Sequence, residues 1–505
     1  MRRFLDLPLL VLLMGGGALV MFLPAVHAYS LRDFHVARTF FYSAMLLLIF
    51  TALIGIATSG YRPRNIARSH LAALVGAYVV LPPLLAVPFA ESVRDTTYLN
   101  AWFEMVSCLT TTGATLYDNP DRLPATLHLW RALVGWLGGF FILLAAIAIL
   151  APMNLGGFEV ISGGAVGRGA TGGVQTTRFV HPSERVLRYA LAIFPIYGAL
   201  TLGLWVLLLI AGDSGLVALS HAMSTLSTSG ISPLASMKET GSGVAGEMLI
   251  FCFFLFAITR RAYLGTALAM ADTPLRRDPE LRMALVCVAL LPAIQFLQHW
   301  TGSYADIKAT DYTAAAEALW GAIFTTMSFL TTTGFEGAHW QVSRSWAGPG
   351  SSGLILLGLA IIGGGVATTA GGVKLLRIFA LYSLGQSEME KLIHPHSVGG
   401  DGPAIRRLRK DGAHVAWIFF MLFAISIGIV MAALTLSGLE FEPAMVFTIA
   451  ALSTTGPLAG VATETALSYD MLDTTAKAIV AAAMVVGRME TLAILVLFAP
   501  DNWRG

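Results

Sequence analysis

Charge is what this sequence has least of. Asp, Glu, Lys and Arg make up 12% of the 505 residues, hydrophobic residues 56%, and the net charge is only +2. A soluble chain carries about 25% charged residues, and one of this length would spread them over several domain surfaces. Most soluble enzymes are thereby excluded. With no basic field and no recognisable module, binding to nucleic acid is excluded as well. Cysteine is nearly absent. Cys108, Cys252 and Cys287 are odd in number, lie in or beside apolar segments and lack metal-ligand spacing, so they read as packing residues.

Long apolar runs stand where charge is missing. They recur near residues 7–26, 38–58, 68–90, 126–151, 187–211, 244–259, 281–299, 352–362, 412–437 and 475–499, the eighth looking broken. Most have the length and the Leu, Ala and Met content of a membrane-crossing helix, so the fold class is an all-α polytopic membrane protein. Arg2, Arg3, an apolar stretch and Val26-His27-Ala28 also fit a signal peptide. The stretch is long for a signal core, and its loss would leave an odd number of spans, so we read it as the first helix.

Lys and Arg placement orients the spans. With the N-terminus cytoplasmic, that side collects Arg2, Arg3, Arg62, Arg64, Arg260, Arg261, Lys374, Arg377 and the segment Arg406-Arg407-Leu408-Arg409-Lys410. Few bases fall outside, among them Arg122, Arg131, Lys238 and Arg344. Acids run the other way, with Glu104, Asp118, Asp213, Glu336, Glu464 and Asp470 among those outside. Singly these are ordinary loop residues; together they make an acidic mouth that concentrates cations.

Self-similarity is the strongest signal. Three hydroxyl residues and a glycine recur as Thr110-Thr111-Thr112-Gly113, Ser227-Thr228-Ser229-Gly230, Thr331-Thr332-Thr333-Gly334 and Ser453-Thr454-Thr455-Gly456. The copies stand roughly 100 to 120 residues apart, and chance supplies on the order of 0.2 copies. Each follows an outward span and a short amphipathic stretch, and precedes a span running back. Asp95, Asp213, Glu317 and Glu440 open the short stretches, where they fit helix N-caps better than ion ligands. In lipid, non-helical backbone survives only inside protein or along a wet cavity, so four such loops must converge. Half-helices aim their negative C-terminal ends inward, glycine permits φ > 0, and turned carbonyl oxygens can replace the hydration shell of a monovalent cation. One such string is equally a helix stop or packing contact; four at matched positions favour a filter.

These residues resemble the Trk/Ktr/HKT superfamily of potassium transporters, specifically its bacterial Trk-type membrane subunit, over nearly the whole chain. The resemblance implies a two-helix extension (residues 1–60) and four helix–pore-loop–helix repeats at 61–160, 161–278, 279–395 and 396–505, in pseudo-fourfold arrangement. It implies potassium uptake as K⁺ through filter segments Thr111 to Thr115, Thr228 to Ser232, Thr332 to Glu336 and Thr454 to Leu458. The ion-binding residues are then Thr111, Thr112, Gly113, Thr228, Ser229, Gly230, Thr332, Thr333, Gly334, Thr454, Thr455 and Gly456. Glycine at all four positions goes with potassium, whereas serine at the first goes with sodium. Glu336 departs from the family pattern, either as a cation attractor at the mouth or paired with a neighbouring base.

Gly363, Gly364, Gly365, Gly371 and Gly372 bracket Val366-Ala367-Thr368-Thr369-Ala370, too many glycines for a continuous helix. Walker spacing and a preceding strand are missing, which excludes a phosphate loop. The resemblance implies an intramembrane loop that occludes the pore; a passive kink is the alternative. Arg488 lies in the last span, where a charge faces the protein interior. The resemblance implies a pore arginine that bonds the loop carbonyls; a salt bridge to another helix is the alternative. It further implies a homodimer in the bacterial inner membrane, bound to a cytosolic nucleotide-binding ring of the TrkA type that senses NAD or ATP/ADP. Arg406 to Lys410 either docks that ring or marks the cytoplasmic side. No organic cofactor and no catalysed chemistry are implied.

Three rival readings remain. A sodium-permeable or cation-coupled member of the superfamily would use the same strings. An inverted-repeat solute transporter needs paired broken helices of opposite orientation, whereas the four strings enter from one side. A membrane enzyme would rest on His181, Glu159 and His221, which lack ligand or nucleophile–base spacing.

Overall fold

Apolar composition makes most of the described segments helical. The computed structural model describes residues 8–60, 66–153, 155, 157–160, 182–259, 278–302, 312–346, 351–394 and 410–490, and among these there is no strand. Leu9–Val20 (α1) and Phe22–Ser30 (α2) form a nearly continuous rod, followed by Phe34–Thr58 (α3). Asp33 caps α3 by accepting the Val36 N–H at 3.2 Å.

Four runs of helices follow, each with a short helix after a long one. First come Ile66–Ser92 (α4), Tyr98–Leu109 (α5) and Ala125–Ala145 (α6). Next are Pro182–Ala211 (α7), Gly215–Ser227 (α8), Gly243–Phe253 (α9) and the turn Leu255–Ile258 (α10). Pro279–Gly302 (α11), Tyr312–Leu330 (α12), Trp340–Trp346 (α13), Ser351–Ile362 (α14) and Leu375–Ile393 (α15) follow. Lys410–Leu436 (α16), Phe441–Leu452 (α17), Leu458–Val461 (α18) and Thr474–Met489 (α19) complete the order. The short helices α5, α8, α12 and α17 each end at a hydroxyl–glycine string. The last helix ends earlier than the sequence suggests, because Glu490 takes φ 60°; residues 491–499 lie outside the described part.

Burial separates inner from outer helices. In Ala125–Met153, 83% of the most apolar window is buried, but only 17% in Gly412–Leu436. An equally apolar helix left this exposed is one that faces lipid. Six described helices are long and apolar enough to cross a membrane, with shorter apolar helices at Gly243–Ile258, Ala315–Leu330, Ser352–Ile362 and Phe441–Leu452.

In lipid, close packing and polar contacts hold helices together, because apolar burial there gains little. Each junction between successive units has a polar strap. The Trp136 indole donates to Thr201 Oγ1 at 2.9 Å, and the Trp320 indole to Glu247 Oε2 at 2.8 Å. Arg344 donates to the Thr463 carbonyl at 2.5 Å, and Lys477 to Asn100 Oδ1 at 3.1 Å.

The acids expected to cap the short helices do not. Thr97 caps α5, bonding the Asn100 N–H at 3.3 Å, while Asp95 pairs with Arg122 at 2.8 Å. Asp213 is buried and accepts the Ser242 N–H at 2.9 Å. Glu317 lies inside α12, 3.4 Å from His339, and Glu440 holds the N-cap position of α17 without a side-chain bond. For Asp95 and Glu317 the reason is register: a carboxylate shifted off the N-cap position loses the free N–H groups. Asp473, by contrast, caps α19 through the Ala476 N–H at 2.7 Å.

Candidate functional site

The first chemistry of each string is to stop a helix. In all four, the middle hydroxyl residue is left-handed: Thr111 at φ 55°, Thr228 at 52°, Thr332 at 57° and Thr454 at 55°. The next N–H reaches back to close the helix, from Thr112 to the Ser107 carbonyl (2.8 Å), Ser229 to Ser224 (3.0 Å), Thr333 to Ser328 (2.9 Å) and Thr455 to Ala450 (2.8 Å). This is a Schellman closure with threonine where glycine is usual. A β-branched residue in that region is strained by about 1–3 kcal/mol, and such strain clusters at functional sites. The first and third hydroxyls of each string bond one another, Thr110 to Thr112 at 2.8 Å, Ser227 to Ser229 at 3.0 Å, Thr331 to Thr333 at 3.0 Å and Ser453 to Thr455 at 3.2 Å. That accounts for two hydroxyls in each triplet; of the middle ones, Thr228 Oγ1 donates to the Ser227 carbonyl at 2.7 Å and Thr332 Oγ1 accepts the Gly371 N–H. Thr111 Oγ1 and Thr454 Oγ1 are buried with no hydrogen-bond partner among the described residues.

The strings meet. A Cβ on Gly113 would strike the Ser229 carbonyl, one on Gly230 the Thr333 carbonyl, one on Gly334 the Pro457 ring, and one on Gly456 the Ala114 backbone. Neighbours thus follow in the order first, second, third, fourth and back to the first. Gly113, Gly230 and Gly334 take φ 72°, 63° and 85°. Gly456 does not, contrary to expectation, because Pro457 follows it and disfavours helical backbone at the preceding residue. Its N–H instead donates to the Thr112 carbonyl at 2.6 Å, and its carbonyl accepts the Tyr469 hydroxyl at 2.9 Å.

The residue nine before each glycine decides how the outgoing leg is held. Glu104 Oε1 accepts from the Thr115 hydroxyl and the Leu116 N–H, both at 2.7 Å, and its Oε2 pairs with Arg131 at 3.1 Å. His221 bonds Ser232 at 3.0 Å, and Thr325 accepts the Gly337 N–H at 3.1 Å. At the fourth string the position is Phe447, packed 4.9 Å from the Tyr469 ring that takes over the bonding. Glu336 makes no ion pair among the described residues; it accepts from Gln341 at 2.7 Å. Burial pushes its pKa up, opposed by the Gln341 bond and by the charges of Lys238 and Arg344.

The glycine-rich segment lies against the inner ends of the strings. Gly371 N–H donates to Thr332 Oγ1 at 2.7 Å, and Thr369 Oγ1 to the Leu226 carbonyl at 3.0 Å. A Cβ at Gly371 would strike the Thr454 hydroxyl and the Ser453 carbonyl, so glycine there permits contact with the fourth string. Gly363 and Gly372 supply φ 72° and 74° where the helix breaks. Thr368 Oγ1 closes the turn onto the Gly365 carbonyl at 2.7 Å. Gly364 packs on the Ala257 carbonyl, and Gly365 donates to that carbonyl at 3.0 Å. Glu280 Oε1 accepts the Val366 N–H at 2.8 Å. A cavity under the segment is lined by Ala146, Ala367, Thr368, Lys374, Arg488 and Glu490, among others. The α6 side of it is a π-turn, Ala146–Leu150.

Arg488 is 4% exposed and borders that cavity. It was expected to bond the loop carbonyls. Instead, its Nε and Nη2 have no hydrogen-bond partner among the described residues, and the Lys374 ammonium bonds the Ala370 carbonyl. Lys374 is closer to hand, four residues along the same loop. Glu490 pairs with Arg377 at 2.7 Å, under the Phe419 ring. Lys374 and Arg377 are thus buried inside the protein rather than being plain cytoplasmic markers.

Known proteins resemble the chain over nearly its whole length. A family model described as TrkH, Cation transport protein, matches residues 37–504. The chain belongs to the TrkH family. The Trk system potassium uptake protein TrkH of Salmonella typhimurium is 28% identical over 501 residues, 98% of each chain. TrkH of Vibrio parahaemolyticus is 29% identical over 437 residues, 85% of this chain and 84% of that one. The crystal structure of the potassium transporter TrkH from Vibrio parahaemolyticus matches with a TM-score of 0.81 at 26% identity, covering 99% of this chain and 100% of that chain. This TrkH-family chain is therefore an all-helical membrane protein of a potassium uptake transporter family, not of an enzyme family.

Several residues of this TrkH-family chain were missed by the sequence reading. Glu104 and Arg131, taken as an outer acid and base, form a pair that is 0% and 4% exposed. Glu247, 1% exposed, bonds the outgoing leg of the third string. The available signal was an ionisable residue inside an apolar segment, used for Arg488 alone. Cys252 is exposed on its helix and Cys108 buried. His181, Arg260, Arg261, Arg406, Arg407 and Arg409 lie outside the described residues.

Proposed function

We propose that this chain takes up K⁺ across the bacterial inner membrane, N-terminus cytoplasmic, through a filter formed by the four strings. The observation that carries this is the ring of four strained threonines, with two buried hydroxyls left free to accept. An ion entering from outside exchanges hydration water for backbone carbonyls and then for the hydroxyls of Thr111, Thr228, Thr332 and Thr454. At the level of Thr112 it replaces the bond to the Gly456 N–H. An inside-negative potential drives it by about 2.3 kcal/mol per 100 mV.

Residues 363–372 act as the gate. Their bonds to Thr332 and Leu226 hold the loop across the path, and uptake requires these bonds to break. Arg488 adds an electrostatic barrier below, its buried guanidinium raising the energy of a cation until the loop and the arginine move together. The four repeats, with boundaries as read from the sequence, share one path per chain. Relatives carry the name of a Trk system, and this chain accordingly works as a homodimer with a cytosolic nucleotide-binding ring.

K⁺-dependent growth and rubidium uptake in bacteria without their own potassium uptake systems test the reading. Intact protein, supplied with its cytosolic partner, is expected to restore both, while Gly113→Asp and Gly334→Asp abolish both at normal membrane expression. Rescue that survives either substitution refutes the filter, and sodium flux without rubidium flux refutes K⁺ as the cargo.

A further inference from the structure

Two buried carboxylates grip the outgoing legs of the strings, and they differ in how their charge is balanced. Glu104 has Arg131 at 3.1 Å. Glu247 comes from α9 of the preceding unit and accepts two N–H groups of the third: Ala338 at 2.6 Å and the Trp320 indole at 2.8 Å. It is 1% exposed, and no cation is among its described contacts. A buried carboxylate held by neutral donors alone is costly unless a positive charge comes near. Ala338 is four residues beyond Gly334, and its neighbour Gly337 is pinned by Thr325 at 3.1 Å, so the charge stands behind the outlet of the third string. The second string is held by His221 and Ser232, and the fourth by the Tyr469 hydroxyl.

We propose that Glu247 is a specificity-determining, positioning residue of the ion path: it fixes the outer leg of the third string and supplies the uncompensated negative charge that an entering cation meets. This rests on the filter reading above. The cation completes a charge balance that no base among Glu247's described hydrogen-bond partners provides, so occupancy and selectivity at the third string depend on one side chain of the neighbouring repeat. Glu104, already neutralised by Arg131, contributes bracing without net field.

Rubidium uptake with sodium competition, in cells supplied with the cytosolic partner, tests this on intact protein, Glu247→Gln, Glu247→Asp and Trp320→Phe. A unit charge roughly 10 Å from the ion in a medium of effective dielectric about 20 corresponds to about a tenfold change in half-saturating concentration. Glu247→Gln is expected to raise that concentration about tenfold while Glu247→Asp holds it within about twofold. Trp320→Phe keeps the charge but frees one carboxylate oxygen; it is expected to lower rubidium-over-sodium discrimination about threefold with half-saturation unchanged. Equal effects of Gln and Asp, or an unchanged half-saturation in Glu247→Gln, overturn the inference alone. If Glu247→Gln fails to reach the membrane, unchanged discrimination in Trp320→Phe overturns it. No uptake by intact protein overturns the filter reading and this inference with it.

Discussion

Glu336 illustrates how a single residue at the outlet can carry a pH response. Burial raises its pKa, so it takes up a proton at a higher pH than an ordinary carboxylate. The stabilising effect of the protonated form is fully present below the unfolded pKa and is lost as pH rises through the raised folded value. The ionised carboxylate attracts cations but is held against the burial cost. Half-saturating K⁺ should therefore rise as external pH falls from neutral toward the usual carboxylate range, and Glu336→Gln should flatten that dependence; uptake titrations at stepped external pH check it. The Glu104–Arg131 pair makes a second case. Arg131→Met leaves a buried carboxylate without its cation and should cost about 3–5 kcal/mol, most of it recovered in Glu104→Gln/Arg131→Met. Thermal unfolding in detergent reads both.

Among elements, the glycine-rich segment is the gate of the proposed function, and it is weakly bonded. It is attached to the strings by Thr369 to Leu226 and Gly371 to Thr332, each bond worth about 1 kcal/mol. Thr369→Val keeps the shape, removes one bond and should shift the closed–open balance about fivefold toward open. The check is rubidium uptake without the cytosolic partner, which should rise. The short helices teach a related lesson. Their Schellman ends close with threonine, so the strain sits at the middle hydroxyl residue of each string.

At the scale of the whole molecule, four units with little apolar driving force between them are joined by a few polar straps. Trp136→Phe and Lys477→Met cut straps at different junctions with no shared partner. Each should lower stability by about 1–2 kcal/mol, and the double variant should be additive within about 0.5 kcal/mol. Unfolding midpoints of the single and double variants decide this. A markedly larger loss in the double variant would mean that the ring of units opens cooperatively.

The sequence by itself determined the helices, the fourfold string and the break at Gly363 to Gly372, because each depends on local composition, period and backbone permission. Only the tertiary structure decided that Glu104 meets Arg131, that Glu247 serves the next unit's string, that Tyr469 replaces the missing polar residue at Phe447 and that Lys374, not Arg488, bonds the loop. Except for Lys374, which reaches the carbonyl four residues before it, those pairings join residues separated in the chain whose partners are set by helix packing. Gly456 lies between the two cases: its neighbour Pro457 was in plain view, but its bond to Thr112 exists only because the first and fourth strings are brought edge to edge.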